Sequence, residues 1–110
     1  MYHSTVWQKC FPSSYLAQVK TSFKTLVALF GEPYLDRCLD QKSTTEWVIE
    51  NHTGRIFTIY DYGITDICWD PERMKAYTER LRTDVTCIWH IGGSGDTGVN
   101  DLITFIRSQS

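Results

Sequence analysis

The apolar positions of this chain follow two periods, and the switches between them mark out its elements. Residues 4–11, Ser-Thr-Val-Trp-Gln-Lys-Cys-Phe, predict a short first strand that Pro12 ends. Ser13 or Ser14 then caps a helix in which Tyr15, Val19, Phe23, Leu26, Val27 and Phe30 recur at steps of three and four, drawing one apolar stripe. Gly31 stands where a left-handed C-terminal residue belongs, and Pro33 forbids continuation. A second start is open, because Thr21-Ser22 interrupts the polar face and can cap a shorter helix of residues 22–30.

The period then drops to two. Thr45-Glu46-Trp47-Val48-Ile49-Glu50 alternates, with Trp47 and Ile49 on one face and the glutamates on the other. Asn51-His52-Thr53-Gly54 supplies turn chemistry, and residues 55–62 form a β-branched and aromatic run, so an antiparallel hairpin is expected. Irregular text follows from Gly63 to Trp69. Asp70-Pro71 reads as an N-cap with proline at the first helical position, opening a mostly solvated helix of residues 71–82 with Met74, Tyr77 and Leu81 at helical spacing. Residues 85–91 read as a strand with Val85, Cys87, Trp89 and Ile91 on one face. Residues 92–98 break it, and Val99, Leu102, Ile103 and Ile106 outline a terminal helix. The order β-α-β-β-α-β-α predicts one α+β domain: a mainly antiparallel sheet of about four strands, with helices packed on one face.

Composition narrows the classes of function. The chain has 110 residues, 42% apolar and 22% charged, which suits a single globular domain rather than a fibre or a disordered tail. No apolar run reaches the ~18–20 residues of a membrane span, and the first residues lack the basic and apolar regions of a secretory signal. A cytoplasmic protein is expected. A net charge of −2 argues against direct binding to a nucleic-acid backbone. Cys10, Cys38, Cys68 and Cys87 show no C-x-x-C pair and His3, His52 and His90 lie far apart, so four reduced thiols are expected, with no metal and no cofactor. Five Phe, six Tyr and four Trp exceed what a small core needs, which leaves rings for an interface or a ligand.

Three constellations bear on chemistry. Gly92-Gly93-Ser94-Gly95, with Thr97, lies between a strand and a helix, the local order of an anion-binding turn. It lacks the Gly-Lys-Ser/Thr ending of a phosphate loop, and Asp96 sets a negative charge there, so a structural turn and helix cap is the plainer reading. Cys87 and His90, three apart on a strand, point to opposite faces and make no dyad; Asp61, Asp66, Asp70 and Asp84 read as solvated or capping carboxylates. No enzyme is expected. A binding surface has more support: strand alternation places Tyr60, Tyr62 and His90 on the face away from the helices, with Trp69, Arg73 and Arg55 nearby. Stacking rings beside cationic donors suit a nucleobase and its phosphate. A half-covered sheet equally suits a second subunit, so a homo-oligomer is expected.

Four segments also carry a resemblance: Phe30-Gly31-Glu32-Pro33, Glu46-Trp47-Val48-Ile49, Thr58-Ile59-Tyr60-Asp61-Tyr62 and Trp89-His90-Ile91-Gly92-Gly93. As a set they resemble a loose group of small, mostly uncharacterised bacteriophage proteins, over about residues 22–106 but without the helix at 71–82. The resemblance implies a shared fold and a viral source, and it carries no catalytic residues. It implies a host-defence antagonist that acts by binding in the host cytoplasm. One form sequesters a nucleotide immune signal; the alternative occludes a defence protein such as a CRISPR effector complex. A small hydrolase is the third reading.

Overall fold

The structure is a computed structural model, and it describes residues 2–4, 14–35, 45–61, 70–83, 85–93, 95 and 97–109. Its elements are β1 (His3–Ser4), β2 (Ser14–Thr21), α1 (Phe23–Phe30), β3 (Tyr34–Leu35), β4 (Thr45–Glu50), β5 (Ile56–Tyr60), α2 (Pro71–Leu81), β6 (Cys87–Gly93) and α3 (Val99–Gln109). Four longer strands lie in the order β4-β5-β6-β2, every neighbouring pair antiparallel, and the two-residue β1 and β3 both pair with β4. The fold is α+β, as the patterning predicts.

The β4–β5 hairpin turns on Asn51. Its side-chain oxygen accepts from the Thr53 and Arg55 amides at 3.0 and 2.9 Å, while Gly54 takes a φ of 84° that a side chain would resist. Trp47, Ile49, Phe57, Ile59, Trp89, Ile91 and Val19 line one face of the sheet. Leu26 and Phe30 of α1, Leu81 of α2, and Val99, Leu102 and Ile106 of α3 close over that face. Both indoles are buried with their N–H groups satisfied: Trp47 Nε1 donates to the Gly31 carbonyl at 2.8 Å and Trp89 Nε1 to the Thr21 carbonyl at 3.1 Å. The rings meet edge to face, 5.4 Å apart.

The expected long helix is corrected in its first half. Residues 14–21 form strand β2, and the helix is the shorter one, capped by Ser22, whose side chain accepts from the Thr25 amide at 3.0 Å. Tyr15, Val19 and Phe23 do fall four apart, but Ala17, Val19 and Thr21 also alternate with Gln18 and Lys20, so the segment fits both periods. Pairing with β6 from Ser14↔Gly93 to Thr21↔Cys87 decides it. The last strand is shifted too. It runs from Cys87 through Gly93, leaving Val85 exposed ahead of it. The expected first strand is described only at His3–Ser4; residues 5–13 lie outside the described residues.

β2 carries one irregularity with consequences for the opposite face. Ala17 pairs with Ile91 and Val19 with Trp89, which sets them toward the core, and simple alternation would send Tyr15 there as well. Instead the register shifts between Tyr15 and Ala17, leaving Leu16 as an extra residue, and Tyr15 pairs with Gly92. This bulge reverses the phase and turns the Tyr15 ring to the far side of the sheet.

Candidate ligand-binding site

On the face away from the helices, one row of the sheet runs Gln18, His90, Tyr60, Glu46 across β2, β6, β5 and β4. His90 sits between two rings. Its centroid is 5.2 Å from that of Tyr15 and 5.7 Å from that of Tyr60, with the planes tilted at 58° and 55°. Burial between these rings lowers the His90 pKa below its usual 6.5, so the imidazole is neutral at pH 7. Tyr15 is 54% exposed and Ile88, two residues before His90 on the same face, is 49% exposed. Tyr60 and His90 are half-buried. The result is an aromatic wall with one accessible ring at its β2 end.

This face is not bare throughout. Val48 is 1% and Thr58 2% exposed, although both point away from the helices, so the expectation of an uncovered sheet face is corrected at β4–β5.

The Gly-rich segment divides. Gly92 and Gly93 are ladder residues of β6, flanked by β5 on one side and β2 on the other, so the expected strand end at Ile91 and the free turn at Gly92-Gly93 are corrected. The reason is contact: a methyl built on Gly93 would lie 3.0 Å from Leu16 Cδ1 and 3.2 Å from the Ile56 carbonyl oxygen. What remains as a turn includes Gly95, Thr97 and Gly98, and the Gly98 carbonyl accepts from the Leu102 amide at the start of α3. Arg55 stands here. A methyl on Gly95 would lie 3.4 Å from its guanidinium, and Arg55 is exposed. The end of the sheet at which β6 leaves and β2 and β5 begin thus gathers Tyr15, Arg55 and the start of α3.

Arg73 is exposed on α2, whose anchors Tyr77 and Leu81 lie on the helix-bearing side, opposite the rings. Tyr62, Trp69 and Ser94 lie outside the described residues, as do Cys10, Cys38, Cys68, Asp66, Asp84 and Asp96. Cys87 is a half-buried free thiol. Asp61 is a structural residue: it is 1% exposed, its carboxylate accepts from the Thr45 amide at 2.8 Å and from the Tyr77 hydroxyl at 2.6 Å, and it thereby ties α2 to the hairpin. Among the described residues no three His, Cys, Asp or Glu side chains group as metal ligands, and no helix is long and apolar enough to cross a membrane.

Sequence reasoning missed Tyr15, the most exposed of the three rings, by assigning it to a helix. The period-two run through Ala17, Val19 and Thr21 signals the strand; nothing local signals the bulge. The sequence matches no family model and no curated protein.

Proposed function

We propose that the protein is a binding module for a nucleotide-derived signal, held without chemical conversion. The observation that carries this reading is the Leu16 bulge, which turns Tyr15 out beside His90 instead of into the core. Bulges that re-aim a side chain are typical of sites. The exposed Tyr15 ring offers a face for a base, and the neutral His90 beside it a hydrogen-bonding edge. Arg55 and the start of α3 lie at the same sheet end, suited to a phosphate. From His90 to Gly93 the strand covers about 10 Å at roughly 3.3 Å per residue, which separates the rings from the Arg55 end of the sheet. The resemblance to small bacteriophage proteins supplies the setting: a viral protein that sequesters an immune signal in the host cytoplasm.

Isothermal titration with a panel of cyclic nucleotides and ADP-ribose derivatives tests this directly. At least one should bind with unchanged ligand mass, and Tyr15→Ala should weaken it about tenfold or more at an unchanged melting temperature, since base stacking contributes roughly 1–3 kcal/mol. Absence of binding across the panel, or equal binding by Tyr15→Ala, counts against it.

Exposed Ile88, on the same face as Tyr15 but farther along β6, beyond His90, favours a second reading, a protein-binding inhibitor of a defence effector such as a CRISPR complex, since exposed apolar and tyrosyl side chains on one face are typical of interfaces. Self-association as a two-fold dimer would cover the same residues. Light scattering at twice 12.8 kDa supports the dimer, and the monomer mass at micromolar concentration opposes it.

A further inference from the structure

A cleft of about 300 Å³ opens on the helix-bearing side, between the start of α1 and the end of α2. Phe23 and Val27 are its apolar lining, both half-buried against the core, and the Phe23 ring rests 5.6 Å from that of Trp47. Lys24, Glu32, Arg82 and Thr83 rim it, all exposed. Two cations and one carboxylate thus stand at its rim. The cleft's volume equals about ten waters at roughly 30 Å³ each, the lower end of the range for small-molecule sites.

We propose that this cleft binds a small amphipathic carboxylate, with an apolar ring on Phe23 and Val27 and the carboxylate between Lys24 and Arg82. Apolar walls with a few convergent polar groups are the usual composition of such sites. The planar guanidinium of Arg82 matches a carboxylate in two-point geometry, with Lys24 as a point charge beside it. The surplus of one positive charge fits a monoanion. A neutral ring of the same shape gains only the floor, which separates this occupant from a merely greasy one. The cleft shares no residue with the Tyr15–His90–Tyr60 rings, so the proposal stands apart from the nucleotide reading.

The test uses 1-naphthoate and its neutral counterpart 1-naphthamide, titrated into the whole protein and followed by backbone amide NMR shifts. Naphthoate should saturate and move the amides of Lys24, Val27, Arg82 and Thr83, and naphthamide should bind about tenfold more weakly, the effect of losing one charge-assisted contact. The double variant Lys24→Gln, Arg82→Gln should lose naphthoate by a similar factor and bind naphthamide unchanged, whereas Glu32→Gln should strengthen naphthoate. All three positions are exposed, so an unchanged melting temperature is expected and verifies folding. Equal binding of acid and amide, unaltered naphthoate binding by the double variant, shifts confined to other residues, or no saturation would each overturn the proposal.

Discussion

Replacing Tyr77 by Phe removes one atom from a contact that fixes α2 to the sheet. The Tyr77 hydroxyl donates to Asp61 at 2.6 Å, and Asp61 is almost wholly buried, with its other carboxylate oxygen engaged by the Thr45 amide at 2.8 Å. A hydrogen bond to a charged group contributes about 1.5–3 kcal/mol, and a buried acceptor deprived of its donor costs a similar amount. Tyr77 is only half-buried, so water can approach the vacated oxygen and the lower end applies, about 1.5 kcal/mol. Against a total of about 5–15 kcal/mol that is a measurable fraction, and it corresponds to a fall of roughly 5–7 °C in melting temperature. The same variant has a signature in pH. Burial, first, and then the Asp61 charge and hydrogen bond raise the Tyr77 pKa well above 10. The folded protein therefore keeps a proton that the unfolded chain begins to release near pH 10. The associated stability is fully present below pH 10 and declines as pH rises beyond it. Urea titrations at pH 8 and pH 10.5 should show the wild type losing more stability than Tyr77→Phe between the two. An unchanged midpoint at pH 8 together with parallel losses would refute the role assigned to the contact.

Three further outcomes follow from the packing and the rings. Trp89→Ala, which empties a fully buried ring site and removes the indole N–H donated to the Thr21 carbonyl, should cost about 3–5 kcal/mol, read from the urea midpoint. Gly93→Ala should destabilise by about 1–3 kcal/mol, because one of the two closest atoms is the Ile56 carbonyl oxygen, which cannot rotate aside; an unchanged midpoint would show that the strands can part without cost. His90 has a lowered pKa through burial, so its contribution is present above pH 6.5 and is lost as pH falls through that value toward the folded pKa; His90→Gln should lose less stability than wild type between pH 7 and pH 5, and equal losses would place the ring in water.

Much of the fold is legible from the chain because period and turn chemistry agree there. Thr45–Glu50 and Ile56–Tyr60 alternate on either side of Asn51 and Gly54, and local preference and long-range pairing ask for the same conformation. Asp70-Pro71 opens α2 where expected, the Asp70 side chain accepting from the Glu72 and Arg73 amides at 3.2 and 3.3 Å. Residues 14–21 are the opposite case. A stripe of period four and an alternation of period two coexist in eight residues, and only pairing with β6 chooses between them. Gly92 and Gly93 mislead for a related reason: glycine marks a turn when the chain must reverse and a strand when a neighbour comes too close, and Leu16 and Ile56 are remote in sequence.

The candidate site was half legible, and the missing half turns on a single residue. Alternation from Ile59 and Trp89 is enough to put Tyr60 and His90 on the outer face, because those two buried neighbours fix the phase of β5 and β6. Tyr15 is different, since counting back from Val19 gives the wrong face. The inserted Leu16 corrects the phase, and the same Leu16 side chain lies close enough to Gly93 that a Cβ there would nearly touch it. One extra residue in β2 therefore does two things at once: it turns a tyrosine out to the imidazole, and it brings Leu16 so close to position 93 that a side chain there would crowd it. A strand that merely completed a sheet edge would need neither. The coupling of a re-aimed ring to a close-packed glycine, at the sheet end where Arg55 and α3 also arrive, is the structural argument for locating function there rather than at any of the motifs the chain displays more openly.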